Sequence, residues 1–143
     1  MERSVLISTL FALFFTACGT TSPAVPTVAT LPVIQVDAAH MTTVDLAYEI
    51  PAGEGFVLDA SSYDFGVPGG PTTMQVVMSG RVYQANWTSG ATSQTVLAAD
   101  LKPLAGSSQL AGLSAGQQLI LSIGTLKTNG HFSPIWVAVV NIK

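Results

Sequence analysis

From Thr43 to Ile50 the chain alternates: Val44, Leu46, Tyr48 and Ile50 share one parity, and Thr43, Asp45, Ala47 and Glu49 share the other. A period of two is that of a strand, so the pattern predicts a strand with one buried and one solvated face. Pro51-Ala52-Gly53 ends it. Phe56 to Ala60 predicts the next strand, with Phe56, Leu58 and Ala60 inward. Ser61 to Pro71 is punctuated by Gly66, Pro68, Gly69, Gly70 and Pro71, and predicts a loop. Thr73 to Thr88 is the longest alternating stretch. Met74, Val76 and Met78 share one face, and further on Arg81, Tyr83, Ala85 and Trp87 share one face. Ser79-Gly80 between them fits either a hairpin turn or a bulge. Gln94 to Ala99 and Gln118 to Leu126 are further strands, and Asn129-Gly130 is a strong turn signal. Ile135 to Ile142 is apolar at both parities except for Asn141, which predicts a strand buried on both sides. No stretch carries a helical stripe over three turns. Residues 101–116 have room for a short helical turn, weakened by Pro103, Gly106, Gly112 and Gly116.

About seven short strands with turns between them predict an all-β fold, a single antiparallel β-sandwich spanning residues 33–143. One segment adds to this. Gly112-Leu113-Ser114-Ala115-Gly116-Gln117-Gln118-Leu119-Ile120-Leu121-Ser122-Ile123 resembles the entry into a late strand of immunoglobulin-like extracellular modules. The resemblance covers about a dozen residues and implies an immunoglobulin-like sandwich. The Cys…Trp…Cys signature of antibody domains is missing, because Cys18 is the only cysteine.

The first residues have a different character. Arg3 precedes an apolar run from Val5 to Phe15, interrupted only by Ser8 and Thr9. That is the layout of an export signal, and the run is shorter than the ~20 residues that span a bilayer. It ends at Phe15-Thr16-Ala17-Cys18, which resembles the lipobox of bacterial lipoproteins, with Phe15 where Leu is usual. The resemblance implies that residues 1–17 are a signal peptide and that Cys18 becomes the lipid-carrying first residue of the mature chain. A lone thiol in an exported chain calls for a use, and this position supplies one. Two or three acyl chains would give stable anchoring. Gly19 follows the cysteine in place of the Asp that retains such proteins at the inner membrane, which leans the expected location toward the outer membrane. Residues 18–32 then hold the lipidated Cys and a tether with three prolines (Pro23, Pro26, Pro32), rich in Ser and Thr and without charges.

Charged residues make up only 9% of the chain, against ~25% in average globular proteins, and the net charge is −3. Without a basic cluster to neutralise phosphates, nucleic-acid binding is not expected.

The candidate chemistry is thin. Gly112-Leu113-Ser114-Ala115-Gly116 matches the G-x-S-x-G of hydrolases, whose serine sits on a strand-to-helix elbow. Here a strand-like alternation follows, and no acid lies between Ser114 and His131. His40, Met41, Met74, Met78 and His131 form the one soft-ligand set, suited in kind to Cu(I). Met74 and Met78, four apart in a strand, would stand ~13 Å apart. Asp59, Ser61, Ser62 and Asp64 gather oxygens near the loop, without the D-x-D-x-D spacing of calcium motifs. Asp64-Phe65-Gly66 and Asn86-Trp87-Thr88 are chance matches to a kinase tripeptide and a glycosylation acceptor.

The aromatics remain. Tyr63 and Phe65 fall in the loop and Phe132 follows a turn, places where interface residues are expected more than core. The expectation is therefore a membrane-anchored envelope lipoprotein acting as a structural or protein-interaction module. Its partner would be an envelope protein or further copies of itself, and Tyr63, Phe65 and Phe132 are candidates for the contact surface. A carrier of copper or a small ligand is the alternative, and a hydrolase comes last. No catalytic residue, metal ligand or cofactor is assigned.

Overall fold

Tight turns and alternating apolar residues build the described residues into nine strands. The computed structural model describes residues 30–42, 46–104 and 108–143. The signal segment, Cys18 and nearly all of the tether lie outside these, as do Thr43, Val44 and Asp45. The strands are β1 (Val33–Gln35), β2 (Tyr48–Ile50), β3 (Gly55–Asp59), β4 (Thr73–Met78), β5 (Arg81–Asn86), β6 (Ser93–Leu97), β7 (Lys102–Pro103), β8 (Gln118–Leu126) and β9 (Phe132–Ile142). A single-turn helix α1 (Ala39–Thr42) follows β1, and a 3-10 turn at Ala98–Asp100 follows β6.

The strands form two open sheets, one in the order β1-β3-β6 and one in the order β2-β9-β8-β4-β5-β7. The expected purely antiparallel arrangement is corrected here. β1 runs parallel to β3, and β2 runs parallel to β9. Parallel neighbours need a crossover of a dozen or more residues. The chain supplies it, since residues 36–54 separate β1 from β3 and residues 51–131 separate β2 from β9. The first two strands thus add to opposite sheets, and α1, packed on β9, lies on the path between them.

Both sheets feed one buried cluster. Phe56, Leu58, Ile34 and Val96 come from the small sheet; Met74, Val76, Leu119, Leu121, Ile123, Trp136 and Val140 come from the large one. The register explains this selection. Met74 faces Ile123 and Ala85, Val76 faces Leu121 and Tyr83, and Ile123 faces Trp136, so one parity of each strand points the same way. Residues Leu31–Lys143 make up one compact unit.

Ser79-Gly80 is a hairpin turn joining β4 to β5. Both residues have positive φ (52° and 74°), the geometry whose twist matches that of the strands it joins. Phe56, Leu58 and Ala60 are inward as expected, and residues 61–71 form the expected loop.

Two orientations differ from expectation. Leu46 is 47% exposed, because β2 begins only at Tyr48 and residues before it do not obey strand alternation. β9 is interior to its sheet by hydrogen bonding, but only one face is covered. Trp136, Ala138, Val140 and Ile142 are buried, while Val137 is 38% exposed and Ile135 and Val139 are half-buried. Among the described residues, the small sheet supplies a covering layer on one side only.

Candidate functional site

The loop after β3 is built by its own side chains. Asp59 accepts the Ser61 N–H (2.9 Å) and the Gln35 amide (3.0 Å), which turns the chain at the end of the strand. Hydrogen bonds from the Ser61 side chain and backbone, then from Gln35, hold its carboxyl below the usual carboxylate range. The Tyr63 N–H closes onto the Ala60 carbonyl at 3.0 Å, and Asp64 accepts the Gly66 N–H at 2.8 Å. The Thr72 N–H then bonds the Gly124 carbonyl, and Thr72 in turn accepts the Trp87 N–H. The loop is thereby seated on β8 and on the end of β5.

These constraints set three rings in a row. Tyr63 and Phe65 meet edge to face with centroids 5.0 Å apart, and Phe65 meets Trp87 the same way at 5.9 Å. Trp87 is buried, its indole N–H donating to the Ala91 carbonyl at 3.3 Å. Tyr63 and Phe65 are half-buried: they pack against the core and keep part of each ring on the surface. The Tyr63 hydroxyl points at Met41 Sδ, 3.6 Å away. All three rings line a cleft of about 440 Å³, walled by Gly69, Gly70 and Gly90. Asp64 is the one charged residue in the lining, and no cation contributes to it.

Of the three aromatic residues expected at a contact surface, the structure brings Tyr63 and Phe65 together. Phe132 starts β9 opposite Leu126, is half-buried, and is not part of the cleft. Cys18 lies outside the described residues. Trp87, the floor of the cleft, stands 22 residues from Phe65 in the chain, and the sequence held no signal that the two rings would touch.

A second cluster sits where the chain crosses between the sheets. Asp37 accepts the His40 N–H at 2.9 Å, capping α1. Its two oxygens also lie 2.7 and 2.8 Å from His40 Nδ1. Burial works to raise the Asp37 pKa, but the His40 backbone and side-chain hydrogen bonds and its charge outweigh this and lower it. The His40 ring stacks on Tyr48 at 3.7 Å. The Tyr48 hydroxyl donates to the Gln35 carbonyl, and burial, with the negative charge of Asp37, pushes its pKa up. Trp136 completes the group, its indole N–H donating to the Asp37 carbonyl at 2.8 Å. Every polar atom named here serves to tie β1, α1 and β2 to β9. From the sequence His40 stood only in the soft-ligand set, and nothing marked Asp37, Tyr48 and Trp136 as the residues that gather around it.

The remaining candidates are scattered. Met74 and Met78 are buried in the core, His40 is bound to Asp37, and His131 is exposed in the turn after β8, where its N–H bonds Asn129 Oδ1. Among the described residues no three His, Cys, Asp or Glu side chains gather as metal ligands. The Asp59 and Asp64 carboxylates each accept backbone N–H groups of their own loop. Ser114 lies in an exposed turn, its N–H bonded to Gln117 Oε1, and β8 follows it. The nine residues of β8 put Ser114 and His131 near its opposite ends, ~30 Å apart.

The chain matches no known family model, no curated protein and no solved structure. The geometry of its own residues therefore carries the functional reading.

Proposed function

We propose that the chain is a membrane-anchored cell-envelope lipoprotein whose β-sandwich, of immunoglobulin-like kind, is a structural or protein-interaction module. Its contact surface is the Tyr63–Phe65 cleft. The observation that carries this is the pair of rigid, half-exposed rings at the rim of a cleft of about 440 Å³. Aromatic anchors that are held in place lose little freedom on binding, and they are enriched where proteins meet. The scarcity of charge fits the same use, since charges are depleted at interface cores.

Support for the sandwich comes from the single core shared by the two sheets. Support for the immunoglobulin-like form comes from the resembling segment, where Leu113, Leu119, Leu121 and Ile123 are buried while Ile120 between them is 42% exposed. The parallel edge pairs depart from that form. The anchor rests on Thr16-Ala17-Cys18 after the apolar run, and the outer-membrane leaning rests on Gly19.

The cleft volume also falls in the ~300–1,000 Å³ range of small-molecule sites, so a small-ligand carrier is the second reading. A photo-cross-linking residue placed at Val67, in the cleft lining, separates the two. A defined protein adduct in cells, absent when the same group sits at exposed Val33, supports the interaction module. No adduct, with a small molecule found in native mass spectra and lost in the Tyr63→Ala/Phe65→Ala variant, supports the carrier.

A further inference from the structure

Two open sheets have four edges: β1, β6, β2 and β7. An edge strand is a template for another strand unless something guards it. Three of these are guarded. β1 is three residues long, and its Gln35 carbonyl is taken by the Tyr48 hydroxyl. β2 is three residues long and carries Glu49, paired with Lys143 at 2.6 Å. β7 is two residues long, Lys102 and Pro103, the residue types that block pairing. β6 is different. It has five residues, Ser93-Gln94-Thr95-Val96-Leu97, with no charge, no proline and no bulge in its register against β3.

The backbone parity of β6 follows from its flanks. The Ala60 N–H bonds the Thr92 carbonyl and the Ala98 N–H bonds the Glu54 carbonyl, both at 2.8 Å. Residues of the parity of 92 and 98 therefore face β3, which covers Gln94 and Val96. Ser93 and Thr95 turn their N–H and C=O groups to the open side, as Leu97 does its N–H, while the Leu97 carbonyl takes the first bond of the 3-10 turn that follows. Ser93 and Thr95 are exposed and Leu97 is half-buried, and a gap of about 300 Å³ beside them is lined by Gln84 and Asn86 from β5, by Thr95, and by Asp100 and Lys102.

We infer that β6 pairs antiparallel with β6 of a second copy, about a two-fold axis at Thr95. Thr95 exchanges both bonds with its symmetry mate, and the Leu97 N–H of each copy donates to the Ser93 carbonyl of the other. That gives four backbone hydrogen bonds across the axis, the Leu97 carbonyl being used by its own 3-10 turn. The strand is neutral, so no like charges oppose each other across the axis, and threonine facing threonine is a favourable cross-strand pair. β6 itself carries no charge by which a foreign strand would be selected. The inference stands on the sheet edge alone and is independent of the cleft.

An edge of five residues makes a small interface, so the dimer is weak in dilute solution and favoured where copies are crowded. The test is sedimentation of the full-length chain in detergent over a concentration series, beside Thr95→Pro and Thr95→Lys. Proline removes only the outward N–H and leaves pairing with β3 in place. The expected result is a reversible monomer–dimer equilibrium, with dissociation constants raised about tenfold or more in both variants, because Thr95→Pro loses two bonds across the axis and Thr95→Lys opposes two like charges. In membranes, Thr95→Cys should oxidise to a covalent dimer while Glu49→Cys, on the guarded β2 edge, does not. The Cys pair reports independently should either substitution unfold the chain. A chain that stays monomeric at every concentration overturns the inference. So does a dimer indifferent to both Thr95 substitutions, or cross-linking that is equal at the two cysteine positions.

Discussion

Asp37 carries more of the structure than its size suggests. It caps α1, holds His40 in place under the Tyr48 ring, and through its carbonyl takes the indole N–H of buried Trp136. Its carboxyl is held below the usual range, as is that of Asp59. A lowered folded-state pKa means stability that is present above the unfolded value of ~3.9 and lost as pH falls through the folded one. The chain should therefore lose stability below about pH 4, and Asp37→Asn should flatten that loss in urea melts taken as a function of pH. Tyr48 has the opposite sign at the other end of the scale. Its raised pKa favours the neutral phenol, so its contribution holds below pH ~10 and fades as pH rises beyond that. At the cleft, Phe65→Ala removes a half-buried ring from Tyr63 and Trp87. It should cost about 1–3 kcal/mol in urea melts, below the ~3–5 kcal/mol of a fully buried Phe, and abolish cross-linking from Val67.

Elements show what an alternation of residue types specifies and what it leaves open. β8 ends in an irregular register between Ile123 and Gly124, where the strand lies so close to β9 that a Cβ on Gly124 would stand 2.1 Å from the Ser133 carbonyl. Gly124→Ala must move backbone and should cost about 1–3 kcal/mol or more in thermal melts, with the loss of the Thr72–Gly124 bond read by amide exchange at Thr72. The strands β3, β4, β5 and β8 were legible because each buries one parity and is bounded by Gly, Pro or Asn. β1 was not, since three residues carry no period and its partner β3 lies beyond a crossover. β9 misled in one respect. Val137 and Val139 are apolar on a face that no layer of the described residues covers, and sequence hydropathy does not distinguish a valine on that face from one on the core face. Likewise Tyr63 and Phe65 were legible as loop aromatics, while their contact with Trp87 depends on the seating of the loop on β8.

The whole molecule is held by its core and its backbone ladders far more than by charge. The ion pairs among the described residues are Asp37–His40 and Glu49–Lys143, and the second is well exposed on both sides. Exposed pairs contribute roughly 0–1 kcal/mol and are screened by salt. The melting temperature should therefore hold, or rise slightly, as sodium chloride is raised from ~0.05 to ~0.5 M. A marked fall on calorimetry would assign the stability to electrostatics instead. The proposed role depends on placing this weakly charged domain at a membrane, and Cys18 is the residue that would do so. Cys18→Ser should release the protein from the membrane fraction and end incorporation of labelled palmitate, leaving the thermal stability of the domain unchanged. The most direct measurement is the intact mass and N-terminal sequence of the mature protein, expressed with its own leader in a bacterial host. The account predicts a chain that begins at Cys18 and carries a diacylglycerol on its sulfur. A chain that begins elsewhere, or an unmodified Cys18, would contradict it.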